Sequence, residues 1–600
     1  MQNFINRFFF ILPASPKQLV ILVILFVLMS VLEAFGIGMI GPFLNLASNP
    51  DLVKESEFVA SVYAGLNLTE ASQGIALLGL FIIGLFTVKS FLNWQIKTYV
   101  FGFCLKVRGK LCEKLIQEYL SVPYTFHLSK DSASVIQCII IYTQSFALDI
   151  LMPILNSAAN LMIIIALSGL LLLTSKLVVI VLIFLFVPLI VILNAFKDKI
   201  KYWGKRVSYA DESIIRIVNH SLGGIKETKV IGCYDFFEEQ LSYQSREYIE
   251  AGTLLLSFQI VPRILVEAIL IVFLVGITST MILLGQDIDG LIPALSIFAL
   301  SSIRLLPAIS NLSKDMSKLR SMTYVLERLS QDLREIETLK NSEGLNRTVV
   351  TEVSQLAADK FQHHDFNNQI IFEGVTYQYP GCELPAISDV SLSINKGESI
   401  AFIGQSGAGK TTLVDIMLGL LIPQGGDIKI DDISIYNNLR SWQNMIGYIP
   451  QSIFLMADTI ERNIAFGVAD DLIDQKRLQQ ALEMAQLMDL VKELPDGINT
   501  MVGERGVRLS GGQRQRIGIA RALYHERDIL VLDEATSALD NETESLVTES
   551  IKSLSGIKTM IMIAHRLTTI QHCDRLYVME KGRIVRSGTY NEIVLGNIQS

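Results

Sequence analysis

Gly404-Gln405-Ser406-Gly407-Ala408-Gly409-Lys410-Thr411-Thr412 is the stretch on which the reading of this chain turns. It has the G-x-x-x-x-G-K-[ST] spacing. It follows the apolar run Ser399–Ile403 and opens a stretch, 411–421, that reads as a helix. That strand, loop, helix order is the setting the motif requires. Glycines let successive backbone N–H groups close around phosphate oxygens, and the helix N-terminus adds partial positive charge. Lys410 is placed to reach the β- and γ-phosphates, and the Thr411 hydroxyl to reach Mg2+. The implied ligand is a nucleoside triphosphate, ATP.

Further signals fall in one order around this loop. Upstream stands the aromatic Tyr379. Downstream, Tyr448-Ile449-Pro450-Gln451 reads as a strand running into a loop, and Leu509-Ser510-Gly511-Gly512-Gln513 opens a helix. Ile529–Asp533 is an apolar, buried strand that ends in two carboxylates, Asp533 and Glu534. Ser537-Ala538-Leu539-Asp540 follows, and His565 ends a strand at 559–564.

Outside this region the chain changes character. Its 600 residues are too many for one ordinary domain. A mean hydropathy of +0.42 is high for a soluble protein, and nearly all the long apolar runs fall in residues 1–320. Stretches of roughly 20 apolar residues can cross a bilayer. Candidates are 19–44, 75–99, 150–173, 177–195, 254–284 and 291–309. The first run is too long for a cleavable signal. Segments 97–114 and 197–206 are rich in Lys and Arg, whereas 50–72 and 286–290 carry Asp and Glu. The positive-inside rule then puts both termini in the cytoplasm, in a plasma (bacterial inner) membrane. Segments 100–149 and 196–253 are too polar for membrane and read as helices extended into the cytoplasm, each broken in the middle, at 121–127 and at 223–232. Residues 51–69 read as a short amphipathic helix at the outer surface. A polar linker spans 321–368. The net charge of −8 argues against nucleic acid as a partner. Six scattered cysteines show neither metal nor disulfide spacing.

The motif order resembles the nucleotide-binding domain of ATP-binding cassette (ABC) transporters, with the LSGGQ pentapeptide as its most specific part. The whole chain resembles an ABC exporter half-transporter: a six-helix, all-α transmembrane domain (1–320), the linker (321–368) and an α/β P-loop nucleotide-binding domain (369–600). The resemblance implies that Tyr379 stacks on adenine and that Gly404 to Thr412 hold the phosphates. Thr411, Gln451 and Asp533 serve Mg2+, Glu534 is the general base, and His565 contacts the γ-phosphate. Ser510, Gly511, Gly512 and Gln513 complete the ATP site of a second copy, so a homodimer is implied, with a heterodimer as the alternative. Thr500-Met501-Val502-Gly503-Glu504-Arg505-Gly506 resembles the exporter X-loop, and segments 126–132 and 224–236 resemble coupling segments.

Ionisable residues inside spans point to function. Here they are Glu33, Lys89, Arg263, Glu267 and Arg304. Arg263 and Glu267 stand i, i+4 and can pair with each other. The stretches Glu33 to Phe43, Val261 to Glu267 and Arg304 to Pro307 resemble the bacterial lipid-linked oligosaccharide flippase of protein N-glycosylation. That resemblance implies a basic belt, Lys89, Arg263 and Arg304, for a pyrophosphate headgroup. Lys89 departs from the pattern where the family prefers arginine, since lysine lacks the bidentate fork. The expected function is ATP-driven flipping or export of a lipid-linked oligosaccharide or related glycolipid. The rival is a multidrug or general lipid exporter.

Overall fold

The computed structural model of the chain describes all residues except 1, 14–15, 49–70, 175–190, 192–193, 284–291, 343–365, 534–540, 565–569 and 596–600. Two compact units separate, Met1–Val122 with Lys130–Asn346, and Pro123–Ser129 with Arg347–Ser600.

The described part of the first unit is helical. α1 (Gln2–Ile11) precedes α2 (Pro16–Ser48), and α3 runs unbroken over Ala71–Ser121. At 1.5 Å per residue, the 51 residues of α3 extend about 75 Å. That exceeds the roughly 30 Å of bilayer hydrocarbon, so one helix carries both a span and an extension. α3 stops where Pro123 removes an N–H and disfavours helical geometry in the residue before it. The chain passes through α4 (Tyr124–Ser129), which belongs to the second unit, and re-enters the first through Ser132–Gln137 and two π-helical turns into α5 (Met152–Thr174).

The second extension breaks at its glycines. α6 (Lys197–Gly223) gives way at Gly224, and α7 (Ile225–Ile231) ends at Gly232, whose φ of +73° is the left-handed cap that glycine adopts without strain. α8 (Tyr234–Leu283) returns, followed by α9 (Ile292–Ser321) and α10 (Thr323–Ser342). Both expected breaks are therefore present. α6 and α9 cross closely at Gly204, where a methyl group would stand 2.6 Å from the Ser321 backbone.

Among the described residues, four helical stretches are long and apolar enough to cross a membrane: Lys17–Ile40, Ser72–Ser121, Ala133–Leu170 and Tyr234–Ile269. The sixth expected span falls on α9, which is helical through Pro307. Most of 177–195, all of 51–69 and part of 321–368 lie outside the described residues. The cysteines are all free thiols.

In the second unit the strands are β1 (Gln369–Tyr377), β2 (Ile387–Asn395), β3 (Ser399–Ile403), β4 (Gly425–Ile430), β5 (Ile433–Ser434), β6 (Ile446–Ile449), β7 (Ile529–Asp533), β8 (Thr559–Ile563), β9 (Arg575–Glu580) and β10 (Arg583–Gly588). They form an antiparallel sheet in the order β2-β1-β4-β5 and a mostly parallel one in the order β10-β9-β3-β8-β7-β6. The parallel strands are buried on both faces. Ile529 and Val531 of β7 enter one core and Leu530 and Leu532 the other; Ile561 and Ile563 of β8 alternate with Met560 and Met562 in the same way. This explains continuous apolar runs in place of apolar–polar alternation. The helices used below are α11 (Lys410–Met417) and α12 (Gly511–Tyr524).

Candidate functional site

The phosphate loop joins β3 to α11. Two glycines set its path. Gly404 has φ +156°, and a methyl group there would run into the Met579 carbonyl oxygen. Gly409 has φ +98°, and its methyl would stand 2.8 Å from the Ala386 carbonyl oxygen. The back of the loop is braced by the turn between β9 and β10, where Gly582 N donates to Ala408 O at 3.0 Å. Lys410 is buried and donates from Nζ to Gly404 O at 2.8 Å and Gln405 O at 3.0 Å, which holds the ammonium over the loop. A glycine-built loop, a helix N-terminus and a buried cation at one place fit a polyphosphate. The helix is shorter than the expected 411–421. It ends at Met417 because Gly419 turns left-handed (φ +68°) and Trp442 Nε1 donates to Met417 O at 2.7 Å.

Tyr379 lies beside this helix, its hydroxyl 3.2 Å from Thr412 Oγ1 and its ring edge-on to Tyr377. At the strand ends, Ile449 of β6 pairs with Leu532 of β7 in parallel register. Asp533, the last residue of β7, and Gln451, two residues past β6, therefore lie at the C-terminal ends of neighbouring strands, where open α/β sheets bind ligands. Asp533 is buried and Gln451 exposed. Glu534, 537–540 and His565 lie outside the described residues.

Sequence reasoning missed Asp415. Its carboxyl is pushed up to about 6 by burial and then by Asp533. The available signal was its i+4 spacing from Thr411, which puts both on one side of α11. Tyr124 of α4 is near the same group. Its hydroxyl is raised by burial, then by Asp415 and Tyr379. Residues 123–129, which take in the first part of the segment 126–132, belong to the unit that holds the phosphate loop, and Phe126 is buried.

The LSGGQ stretch folds by local chemistry. Ser510 is the N-cap of α12. Its Oγ accepts from Gln513 N at 3.2 Å, and Gln513 Oε1 accepts from Ser510 N at 2.9 Å, a complete capping box. Arg514, one residue on, donates to Leu509 O at 2.8 Å and Gly506 O at 3.4 Å, which ties the X-loop to the signature helix.

In the first unit, the intramembrane charges gather differently from the expected pairing. Glu33 of α2 is buried and contacts Lys89 Nζ of α3 at 2.6 Å and Arg304 Nε of α9 at 3.0 Å. Lys89 also lies over the Phe86 ring, 4.5 Å from its centroid. Arg263 and Glu267 are both exposed on α8 and form no ion pair among the described residues. No short-range signal could have paired Glu33 with Arg304, because nothing local links α2 to α9.

Residues 387–537 match the family described as ABC transporter. The chain carries an ABC transporter domain. Such a domain binds ATP, and with its apolar helices the chain is a multi-pass membrane protein. Over 230 residues, 38% of this chain and 39% of the relative, it is 41% identical to an ATP-dependent lipid A-core flippase of Cupriavidus pinatubonensis. Over 316 residues, 51% of this chain and 54% of the relative, it is 36% identical to ATP-dependent lipid A-core flippase 2 of Colwellia psychrerythraea. The matched region spans about four tenths to half of these relatives' length. A bacterial Atm1-family ABC exporter solved with ATP bound superposes with TM-score 0.72 over 95% of this chain and 96% of that one, at 22% identity. That likeness establishes the fold, a helical unit followed by an α/β P-loop unit, as in that exporter.

Proposed function

We propose that the chain is an ATP-driven exporter or flippase of a lipid-linked oligosaccharide or a related glycolipid. The observation that carries this reading is the convergence of Lys89 and Arg304 among apolar helices, in a chain that also carries an ABC transporter domain. Cations held in a low-dielectric setting attract a phosphate headgroup strongly, and an arginine adds a bidentate fork. Arg263, exposed on α8, is the third basic residue. The relatives named as lipid A-core flippases favour a lipid as cargo.

In this reading Gly404, Gln405, Ser406, Gly407, Ala408, Gly409, Lys410, Thr411 and Thr412 hold the phosphates and Tyr379 stacks on the adenine. Thr411, Asp533 and Gln451 hold Mg2+, which when bound neutralises phosphate charge. Glu534 polarises the attacking water, and His565 contacts the γ-phosphate. Ser510, Gly511, Gly512 and Gln513 serve the ATP of a second copy, so the working unit is a homodimer. The division is 1–320, 321–368 and 369–600, and both termini face the cytoplasm from a bacterial inner membrane. One observation favours the rival reading of a general lipid or drug exporter: Glu33 already offsets part of the basic charge.

The test is flipping of a fluorescent lipid-linked oligosaccharide in proteoliposomes with ATP, against Glu534→Gln. Flipping that needs ATP and is lost in the variant is the expected result. ATP hydrolysis without flipping would hand the cargo to the rival reading.

A further inference from the structure

Glu33 holds two cations at once, and they differ. The Lys89 side chain is 5% exposed, whereas the Arg304 side chain is 51% exposed. Both contacts are ion pairs at close range, 2.6 Å to Lys89 and 3.0 Å to Arg304, and charge is what holds them. An interaction of that kind is exchangeable, because another anion can supply the same charge without matching a fixed angle. Lys89 is enclosed, with Glu33 as its ion-pair partner and the Phe86 ring beside it among the described residues. Arg304 is open on one side and makes its closest approach to Glu33 through Nε.

We propose that Glu33 is a built-in anion that occupies Arg304 in the unloaded protein, and that a phosphate-bearing headgroup takes its place there while Lys89 keeps Glu33 neutralised. This rests on the reading that the cargo carries phosphate. The exchange keeps Arg304 paired throughout, which avoids a bare cation in a low-dielectric setting. It also aids release: once the headgroup loosens, Glu33 competes for Arg304. Glu33 is thus a positioning residue that lowers affinity and speeds turnover.

The experiment is ATP hydrolysis by the full chain in nanodiscs, titrated with a polyprenyl-diphosphate-linked disaccharide, in the natural protein, Glu33→Gln and Glu33→Asp. Thermal unfolding checks that each variant is folded. Glu33→Gln is expected to lower the half-stimulating concentration about threefold or more and to lower the maximal stimulated rate, a split that general misfolding does not produce. Glu33→Asp, which keeps the charge, is expected to stay within about twofold of the natural protein. Inorganic pyrophosphate separates the sources: competition strengthened in Glu33→Gln places recognition in the phosphates alone, and a shift confined to the lipid probe assigns it to the lipid-borne headgroup. A half-stimulating concentration in folded Glu33→Gln equal to or above that of the natural protein overturns the exchange. A natural protein indifferent to the lipid probe overturns the cargo reading instead.

Discussion

Lys130 Nζ lies 2.9 Å from Asp332 Oδ1, across 202 residues of chain. The other oxygen of the same carboxylate accepts the Tyr119 hydroxyl at 2.9 Å. Tyr119 and Lys130 flank Pro123–Ser129, the segment that belongs to the ATPase unit. One carboxylate on α10 therefore ties the last turns of α3 to Lys130, the residue that follows α4. Lys130 also reaches Glu335 at 3.0 Å, and Lys340 pairs with Glu118.

Asp332→Asn is expected to keep ATP hydrolysis within about twofold and to lower transport per ATP by about tenfold, roughly 1.4 kcal/mol of coupling. Both quantities are measured in the same proteoliposomes. The exchange Lys130→Asp with Asp332→Lys is expected to restore part of the ratio. Equal losses of hydrolysis and transport would show that Asp332 only supports the fold.

Gly409→Ala places a methyl group against the Ala386 carbonyl oxygen at a φ of +98°. The expected cost is about 1–3 kcal/mol, with loss of the thermal stabilisation that ATP gives. Unfolding curves with and without ATP check this. A variant that melts normally and still gains stability from ATP would remove the steric argument for the loop.

Ser510 caps α12 and is also proposed to meet the nucleotide of a second copy. Ser510→Ala is expected to cost about 1 kcal/mol and to lower ATP hydrolysis. Ser510→Asp keeps a cap acceptor but adds negative charge facing a phosphate. It should regain the stability and not the hydrolysis. Recovery of both together would confine Ser510 to capping.

Asp415 gives a pH dependence whose sign can be worked out. Its carboxyl goes from 3.8 to about 6 in the folded protein, by burial first and Asp533 second. Between these values the folded state binds more protons than the unfolded one, so the contribution falls as pH rises through that window and stays low above it. Nucleotide-free Asp415→Asn should melt higher than the natural protein at pH 7.5, with the difference vanishing toward pH 4. No difference at pH 7.5 would show that the carboxyl is well solvated.

Much of the ATPase unit was legible because its chemistry is local. The positive φ at Gly409, the capping box between Ser510 and Gln513, and the continuous apolar run Ile529–Leu532 each show within a few residues of sequence. The helix breaks near Pro123 and at Gly224 and Gly232 were legible for the same reason. The Gly582 brace behind the phosphate loop, and Asp415 as a neighbour of Asp533, were not read from the motifs. They depend on which strands and helices lie side by side.

By itself the sequence determined the kind of machine: a chain with apolar spans, long broken helices and a phosphate loop followed by LSGGQ. Only the tertiary structure decided that Glu33 pairs with Lys89 and Arg304, and that Asp332 bridges Tyr119 to Lys130. The physical reason is range. Backbone conformation and capping are set by neighbours within a turn or a strand, whereas a charge takes as its partner whatever opposite charge the fold brings within about 4 Å.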